Sequence, residues 1–210
     1  MSEVEAKLPT LTRKIIHAPD LAAWYDVGHP VAIYEAVLGL RGLPTTREIG
    51  RDAARFAMVT VWRDLMHALL GFLGGTPRMA FEQMPVLWSA TRRDSGELRC
   101  VESSTRHAVT ELRGFPYAAS VAWCEVWQGH HEALLRQLRF TGTAKLTAVD
   151  APAGIVRVHT EWGGALRGTA TNKFVPPAVD DPPKLDDGGG DGTDGTDRGK
   201  SDPDTKPTGG

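Results

Sequence analysis

The sequence predicts an α+β domain in which an N-terminal helical layer packs on a small antiparallel sheet. Apolar residues recur at spacings of three and four before residue 90, whereas after residue 96 they alternate with polar residues in four short segments. One further helical segment separates these four strands into two pairs. The predicted order is therefore helices, hairpin, helix, hairpin.

The helical layer begins within residues 20–40. This stretch predicts one or two short helices, broken near Gly28 and Pro30, and "RGLP" then stops them because proline cannot continue a helix interior.

The most strongly predicted helix spans residues 46–73. Thr45 and Glu48 have the spacing of a capping box at its start. The helix should end before Gly74, and it should bury an apolar stripe with helical spacing: Ala54, Met58, Val61, Trp62, Leu65, Leu69 and Phe72.

A third helical segment and two hairpins come next in the chain. Thr76 is a suitable N-cap, Pro77 suits the first helical position, and Pro85 predicts a kink. "GELRCVES" and "RHAVTELRG" alternate around the turn at Ser104 and Thr105, which predicts one hairpin. "GTAKLTAVD" and "GIVRVHTEW" alternate around "APAG", which predicts the other.

The segment 118–140 between the hairpins has one ambiguous part, because residues 118–127 fit a helix or a strand. The helix is favoured, since Ala119, Ala122, Trp123, Val126 and Trp127 form a helical stripe. In this interpretation Cys124 is a small buried hydrophobe. His130 and His131 flank a leucine stripe and present their polar tips to solvent.

Composition divides the chain into three parts: an N-terminal arm (1–18), one domain (19–175) and a tail (176–210). After Ala178 there are nine aspartates against four basic residues and almost no apolar ones, so the acidic, Gly- and Pro-rich tail is expected to be disordered. The net charge of −2 gives no basic footprint for nucleic acid. No segment has the length and apolarity of a membrane span or a signal peptide, so a cytoplasmic protein is expected.

No metal site is predicted from the cysteine and histidines of the segment 118–140. On one helix, adjacent histidines diverge by about 100°, and Cys124 lies about 10 Å from His131. If 118–127 were a strand, the cysteine could come nearer, but further ligands would still have to come from distant residues. Both cysteines, Cys100 and Cys124, are expected to be reduced structural thiols.

Tryptophans supply the candidate binding site. A buried indole N–H needs a hydrogen-bond partner, so buried tryptophans serve both as core anchors and as walls of ligand cavities. The candidate ligand-binding residues are Trp62, Trp123, Trp127 and Cys124. No phosphate loop, nucleophile elbow or zincin histidine pair is present, so no catalytic residue is predicted.

Three runs mark the layout: "GTPRMAFEQMPVLWSATRRDSGEL", "GFPYAASVAWCEVWQGHHEALLRQLRFTGTAKLTAVD" and "VRVHTEW". They resemble a set of paralogous domains from myxobacteria over roughly residues 20–162. The layout is more distantly similar to the four-vinyl-reductase domain, the haem-based nitric-oxide-binding domain and a subunit family of the TRAPP tethering complex. The marks are positional, with Gly129 opening a helix, Gly142 ending it and Trp162 closing the last strand, so they imply fold rather than activity.

The distant relatives imply a pocket between the helical layer and the sheet that takes haem, acyl chains or small aromatic ligands. In the haem-binding group a tyrosine, a serine and an arginine hold the haem propionates. Here "ESSTRHA" offers Ser104 and Arg106, but Val101 or Glu102 stands where the tyrosine should precede them. No cofactor is therefore expected.

Two functions remain open. The first is a non-enzymatic regulatory or sensory module that binds a small apolar ligand, in a cavity near the tryptophans, or a partner protein. The second is a homodimeric scaffold that associates through the long helix, which requires a large exposed apolar patch on the outer face of 46–73. A haem-binding or enzyme-accessory domain ranks last.

Overall fold

The computed structural model describes residues 2–20, 23–59 and 75–165. Its helices are, in chain order, α1 Glu3–Lys7, α2 Thr10–His17, α3 Gly28–Val59, α4 Pro77–Thr91 and α5 Val121–Gln137. Its strands are β1 Glu97–Ser103, β2 His107–Arg113, β3 Phe140–Asp150 and β4 Ile155–Ala165. The predicted α+β class is confirmed, with helices, a hairpin, one helix and a second hairpin in that order.

The four strands form one antiparallel sheet in the order β1-β2-β4-β3, so the two predicted hairpins meet along β2 and β4. Both edge strands are irregular: β1 has a bulge between Cys100 and Glu102, and β3 shifts register twice. Alternation puts one face of the central strands against the helices. That face carries the buried core of the sheet: Ala108, Thr110, Leu112, Val156, Val158 and Thr160.

The opposite face of the sheet is charged. Glu111 lies on it and is fully buried under two arginines, since both Arg113 and Arg157 bond its carboxylate. Hydrogen bonds from Arg157 and then Arg113 hold the pKa of Glu111 below its usual value. His159 lies beside His107, with ring centroids 5.3 Å apart. The side chains here pair with one another across the strands.

The N-terminal arm contains α1 and α2, which lie against α3. Glu3 and Arg41 form an ion pair of 3.1 Å, and Thr12 Oγ1 lies 3.0 Å from His29 Nδ1. Leu8 and Thr12 are buried by these contacts. The tail predicted for residues 176–210 lies outside the described residues.

Helix α3 is broken at Gly42, where φ is 77° and ψ is 177°. The predicted stop at "RGLP" is therefore confirmed as an interruption, after which helix resumes to Val59. The predicted capping box is wrong: Thr45 Oγ1 donates to the carbonyl of Arg41 at 3.2 Å, and Glu48 pairs with Arg51. The predicted break near Gly28 and Pro30 is also wrong, because the helix starts there and proline is tolerated in a first turn.

The start of helix α4 agrees with its prediction, whereas the kink at Pro85 stays a prediction. Thr76 Oγ1 accepts a hydrogen bond from the backbone N–H of Met79, and Pro77 occupies the first turn. The helix then continues through Pro85 to Thr91. The predicted continuation of the long helix through residues 60–73 lies outside the described part of the chain.

Helix α5 decides the ambiguous segment in favour of a helix. It begins after Ser120, whose Oγ accepts from the backbone N–H of Trp123 at 3.1 Å. The expectation that Gly129 opens the helix is wrong, because Gly129 lies in its middle. The expected end at Gly142 is wrong too: the helix stops at Gln137, Arg139 takes a positive φ of 63°, and Gly142 is a residue of β3.

Gly129 has a different structural role, in the crossing of α5 over α3. A Cβ atom at Gly129 would lie 2.4 Å from the carbonyl oxygen of Arg47, and one at Gly50 would lie 2.4 Å from that of Val126. Real Cβ atoms do not approach backbone so closely, so only glycine allows the two helices this contact. The crossing fixes how α3 and α5 sit against each other.

No helix in the described ranges is long and apolar enough to cross a membrane.

Candidate functional site

A cavity of about 120 Å³ lies where α3, α4 and α5 meet. Leu98 of β1 also lines it, so the cavity is at the boundary between the helical layer and the sheet. Each helix contributes one face. On α4 these residues have the spacing i, i+3, i+4, i+7: Met84, Leu87, Trp88 and Thr91.

The space exists because α3 presents small side chains to it. Ala53, Ala54 and Ala57 line the cavity from this helix, together with the larger Met58. Protein interiors are normally packed as densely as organic crystals, so an empty space of this kind needs an explanation. The alanines leave room that the facing aromatic residues do not occupy.

Aromatic side chains form the opposite wall. Trp127 of α5 and Trp88 of α4 pack edge to face with ring centroids 5.3 Å apart, and both line the cavity together with Tyr34. Trp123 stacks on Trp127 at 6.0 Å, one helical turn away. Such offset and edge-to-face pairs add about 0.5–1.5 kcal/mol each beyond their burial.

The candidate residues from the sequence occupy different places. Trp127 lines the cavity, whereas Trp123 is buried behind it. Cys124 is buried and does not line the cavity; its Sγ lies 3.8 Å from the carbonyl of Ala118. Burial, and then Glu125, raise the pKa of Cys124 to about 11, so the thiol stays protonated at neutral pH. Trp62 lies outside the described residues.

The buried indoles fall into two groups. Trp88 Nε1 donates to the carbonyl of Gly96 at 3.0 Å and Trp162 Nε1 to that of Thr105 at 2.9 Å. In contrast, Nε1 of Trp123 and Nε1 of Trp127 are buried with no hydrogen-bond partner among the residues described. A buried donor without a partner costs about 1–3 kcal/mol. The fold thus keeps one unpaired donor on a cavity-lining tryptophan.

The expectation that both histidines present polar tips to solvent is wrong. His131 is fully buried, with Nδ1 2.8 Å from the carbonyl of Trp127 and Nε2 2.8 Å from Thr110 Oγ1. Because a carbonyl only accepts, Nδ1 carries the proton and Nε2 accepts from the threonine hydroxyl. The neighbouring His130 lines the cavity, and its Nε2 is buried without a partner in the described part of the chain.

Burial keeps both imidazoles neutral. It lowers the pKa of His130 to about 3, with smaller contributions from Arg92 and His131. It lowers the pKa of His131 to about 4, although the hydrogen bond to Trp127 and the charge of Glu132 oppose this. A neutral Nε2 is either an N–H donor or a lone-pair acceptor, and in both forms it can bond a ligand in the cavity.

The free energy of unfolding should fall as the pH is lowered from 6.5 to 4. The unfolded histidines have the ordinary pKa of 6.5 and the folded ones about 3 and 4, so the unfolded chain binds more protons in this window. Each histidine should lower stability by about 1.4 kcal/mol per pH unit. Urea unfolding, followed by tryptophan fluorescence at several pH values, measures the slope.

The variant His130→Gln should reduce that slope by about half. His17→Gln is the control, because the His17 side chain is 65% exposed and pairs with Glu5 at the surface. An unchanged slope in His130→Gln would contradict the buried neutral state of His130.

Arg92 brings the one cation that lines the cavity among the described residues. It directly succeeds the last residue of α4, is half-buried, and its Cζ lies 5.5 Å from the centroid of the Trp88 ring. Burial lowers its pKa, against the opposing influence of Tyr34, and burial raises the pKa of Tyr34. The guanidinium nevertheless stays charged, since arginine does not deprotonate in proteins.

Sequence reasoning missed most of this lining. Arg92 stands in "TRRD", which resembles an ordinary solvated loop, and His130 stands next to a second histidine. The feature of the sequence that could have indicated the cavity is the stripe of Met84, Leu87, Trp88 and Thr91, which share one face of their helix. No group of three or more His, Cys, Asp or Glu residues in ranges 2–20, 23–59 and 75–165 is placed to hold a metal ion.

Neither known protein families nor curated proteins match this chain in sequence. Solved structures do match. An oxygen-binding H-NOX domain related to soluble guanylate cyclases superposes with a TM-score of 0.52 and 13% identity, over 81% of this chain and 89% of that one. An H-NOX structure from a study of haem distortion superposes with a TM-score of 0.53 and 12% identity, over 81% of this chain and 89% of that one.

The chain shares the H-NOX fold. A third structure, from work on haem redox potential and porphyrin distortion, agrees, with a TM-score of 0.51 and 13% identity over 81% of this chain and 89% of that one. The expected likeness to the haem-based nitric-oxide-binding layout is therefore confirmed for the fold. At such identities the likeness carries no activity with it.

The described residues do not fit haem, although His130 offers one nitrogen of the kind that binds haem iron. The cavity of about 120 Å³ is well below the roughly 300–1,000 Å³ of ligand and cofactor sites. Ser104 lies in the β1–β2 turn, where its Oγ accepts from the backbone N–H of His107 at 3.0 Å. Neither Ser104 nor Arg106 lines the cavity, so the H-NOX fold occurs here without a propionate clamp among the described residues.

Proposed function

We propose that this protein is a cytoplasmic, non-enzymatic sensory or regulatory module that binds a small, largely apolar ligand in the cavity between α3, α4 and α5. One observation carries the proposal: two of the residues that line the cavity, Trp127 and His130, each have a ring nitrogen that is buried with no partner among the described residues. A buried polar atom without a partner calls for an explanation, and a ligand in the adjoining cavity is the one proposed for these two residues.

The size of the cavity supports a ligand of few atoms. Its volume of about 120 Å³ is close to the roughly 150 Å³ of an engineered apolar cavity that binds benzene in another protein. Tyr34, Trp88 and Trp127 provide flat walls, and the methionines Met58 and Met84 adapt to irregular shapes. A single substituted aromatic ring fits this description.

The contrast between the tryptophans supports a binding role for Trp127. Trp88 also lines the cavity, but its indole N–H is used by Gly96 and holds the loop after α4. The indole N–H of Trp127 has no such structural use among the described residues. A ligand that accepted a hydrogen bond from this N–H would remove the free-energy cost of an unpaired buried donor. Such a ligand would also stabilise the folded protein, because it binds only the folded state.

The variant Trp127→Phe should bind neutral aromatic probes about two- to tenfold more weakly. It keeps an aromatic ring in the wall but removes the N–H, and a hydrogen bond of this kind contributes about 0.5–1.5 kcal/mol. Titration of the full chain with phenol, indole and benzamide, followed by tryptophan fluorescence and calorimetry, measures the effect.

Trp24→Phe is the matched control, because Trp24 is 53% exposed and stacks under Arg93 outside the cavity lining. It should bind the probes as the wild type does. Saturable binding that Trp127→Phe leaves unchanged, or no saturable binding of any probe, would contradict the proposal.

Native mass spectrometry beside an ultraviolet-visible spectrum of the purified protein is the first measurement to make. A co-purified colourless small molecule would support the proposed ligand site. A Soret band would show haem and would overturn the conclusion that haem does not fit, since haem needs far more space than the cavity offers.

A homodimeric scaffold remains a prediction that the described residues do not strengthen. On the outer face of α3 after Gly50, the exposed side chains are Asp52, Arg55 and Phe56, of which only the last is apolar. The remaining part of the predicted interface, residues 60–73, lies outside the described ranges.

A further inference from the structure

The second polar feature of the cavity is the guanidinium of Arg92, and its role in binding rests on the proposed ligand site. Arg92 lines the cavity, is half-buried and lies against the face of Trp88. Arginines in folded proteins are mostly exposed unless they are paired. A half-buried arginine that lines a cavity is therefore a candidate partner for an anion.

The chain does not supply that anion in the part that the structure describes. No carboxylate there lies within ion-pair distance of Arg92, and its guanidinium instead lies against the ring of Trp88. The carbonyl end of α4, which precedes Arg92, and the Trp88 ring offset some of the cost of burial. Neither replaces a charged acceptor.

Two other partly buried arginines differ from Arg92 in this respect. Arg51, with its side chain 21% exposed, bonds both Glu132 and Glu48. Arg47, 26% exposed, bonds Glu125 at 2.9 Å. These two arginines pair within the protein at the α3–α5 crossing. Arg92 has no such carboxylate among the residues that the structure describes, and it lines the cavity.

The polar lining is therefore rich in donors. Arg92 and the indole N–H of Trp127 only donate, His130 is near both, and no lining residue in the described ranges is acidic. We propose that the ligand is a small organic anion, an aromatic or similarly compact apolar body with one carboxylate. The carboxylate pairs with Arg92, and the apolar body lies between Trp88, Trp127 and the alanines of α3.

The chemistry of the two partners accounts for the proposed arrangement. A guanidinium and a carboxylate form two parallel hydrogen bonds, which fixes the direction in which the ligand lies. Trp88 already holds the guanidinium from one side. The carboxylate oxygens keep further lone pairs for Trp127 Nε1, or for His130 Nε2 in the tautomer that carries a proton there.

Pairs of probes with the same shape and different charge test the inference on the full chain. Benzoate should bind about 10- to 100-fold more tightly than benzamide at pH 7, because a hydrogen bond to a charged group is worth about 1.5–3 kcal/mol. Calorimetry measures both dissociation constants. Equal affinity for the two probes would overturn the anion inference while leaving the ligand site in place.

Two variants locate the charge. Arg92→Met should reduce the ratio of benzoate to benzamide affinity to about one, whereas Arg92→Lys should retain part of the preference, because lysine carries the charge but cannot donate two parallel hydrogen bonds to a carboxylate. Arg93→Met is the matched control: Arg93 lies over the exposed Trp24, with Cζ 4.1 Å from the ring centroid. It should bind both probes as the wild type does.

The outcomes separate the two proposals. A benzoate preference that persists in Arg92→Met would overturn the role of Arg92. Failure of the wild type to bind either probe would overturn the ligand site itself. Because the wild-type comparison of benzoate with benzamide needs no substitution, the inference stays testable even if Arg92→Met folds poorly.

Discussion

Replacing Glu132 by glutamine should lower the free energy of unfolding by about 3 kcal/mol, the low end of the range for breaking a buried ion pair. Glu132 is 6% exposed and accepts from Arg51 Nε at 2.8 Å, with Arg47 at 3.7 Å. Its other contact is the backbone N–H of Ala144, 3.4 Å away. The neutral amide keeps the volume but leaves two arginines without their shared charge. Urea denaturation of the purified variant measures the loss.

Glu48→Gln is the control for this prediction, because Glu48 pairs with the same Arg51 but has a side chain 52% exposed. Exposed pairs contribute about 0–1 kcal/mol. Similar losses in both variants would show that burial does not decide the strength of these pairs. A loss in Glu132→Gln below that in Glu48→Gln would remove Glu132 from its role as the anchor of the two arginines.

Replacing Gly129 by alanine should lower the free energy of unfolding by about 2 kcal/mol. The new methyl group would meet the Arg47 carbonyl at 2.4 Å and the backbone nitrogen of Arg51 at 3.0 Å, and neither backbone atom can rotate away as a side chain would. Overpacking costs about 1–3 kcal/mol or more, and the better helix propensity of alanine returns up to about 1 kcal/mol. The midpoint of thermal unfolding should fall accordingly.

Gly39→Ala should act in the opposite direction. Gly39 lies in helix α3, is exposed, and would place its Cβ in open space. Only the higher helix propensity of alanine then acts, so the free energy of unfolding should rise by about 1 kcal/mol. If both substitutions raised the free energy of unfolding, the α3–α5 crossing would tolerate a side chain and would not depend on glycine.

The two hairpins and α4 were predictable because their signals are local. Period-two alternation marks the strands, and Thr76 with Pro77 marks a helix start whatever packs beside it. The helix over Val121–Gln137 was predictable for the same reason, from its apolar stripe. Each of these features depends on residues within a few positions of one another.

The remaining features depend on contacts between distant segments. Gly129 was expected to open a helix, whereas it lies in the middle of α5, and only the close approach of the α3 backbone explains why a glycine stands there. His131 appeared exposed because nothing near it in sequence shows that Thr110 would meet its ring. The cavity was expected near three tryptophans, but only Trp127 of these lines it among the described residues, since its position is set by where three helices meet.

The irregular edges of the sheet affect how the protein behaves at high concentration. The outward N–H groups of Ala144 and Leu146 on β3 are bonded by Glu132 and Gln128 of α5, at 3.4 and 3.1 Å. The other edge strand, β1, carries its bulge and charged side chains. A regular edge with free N–H groups would recruit further strands and seed aggregates. These features protect both edges in part, so we expect association through extension of the sheet to be disfavoured.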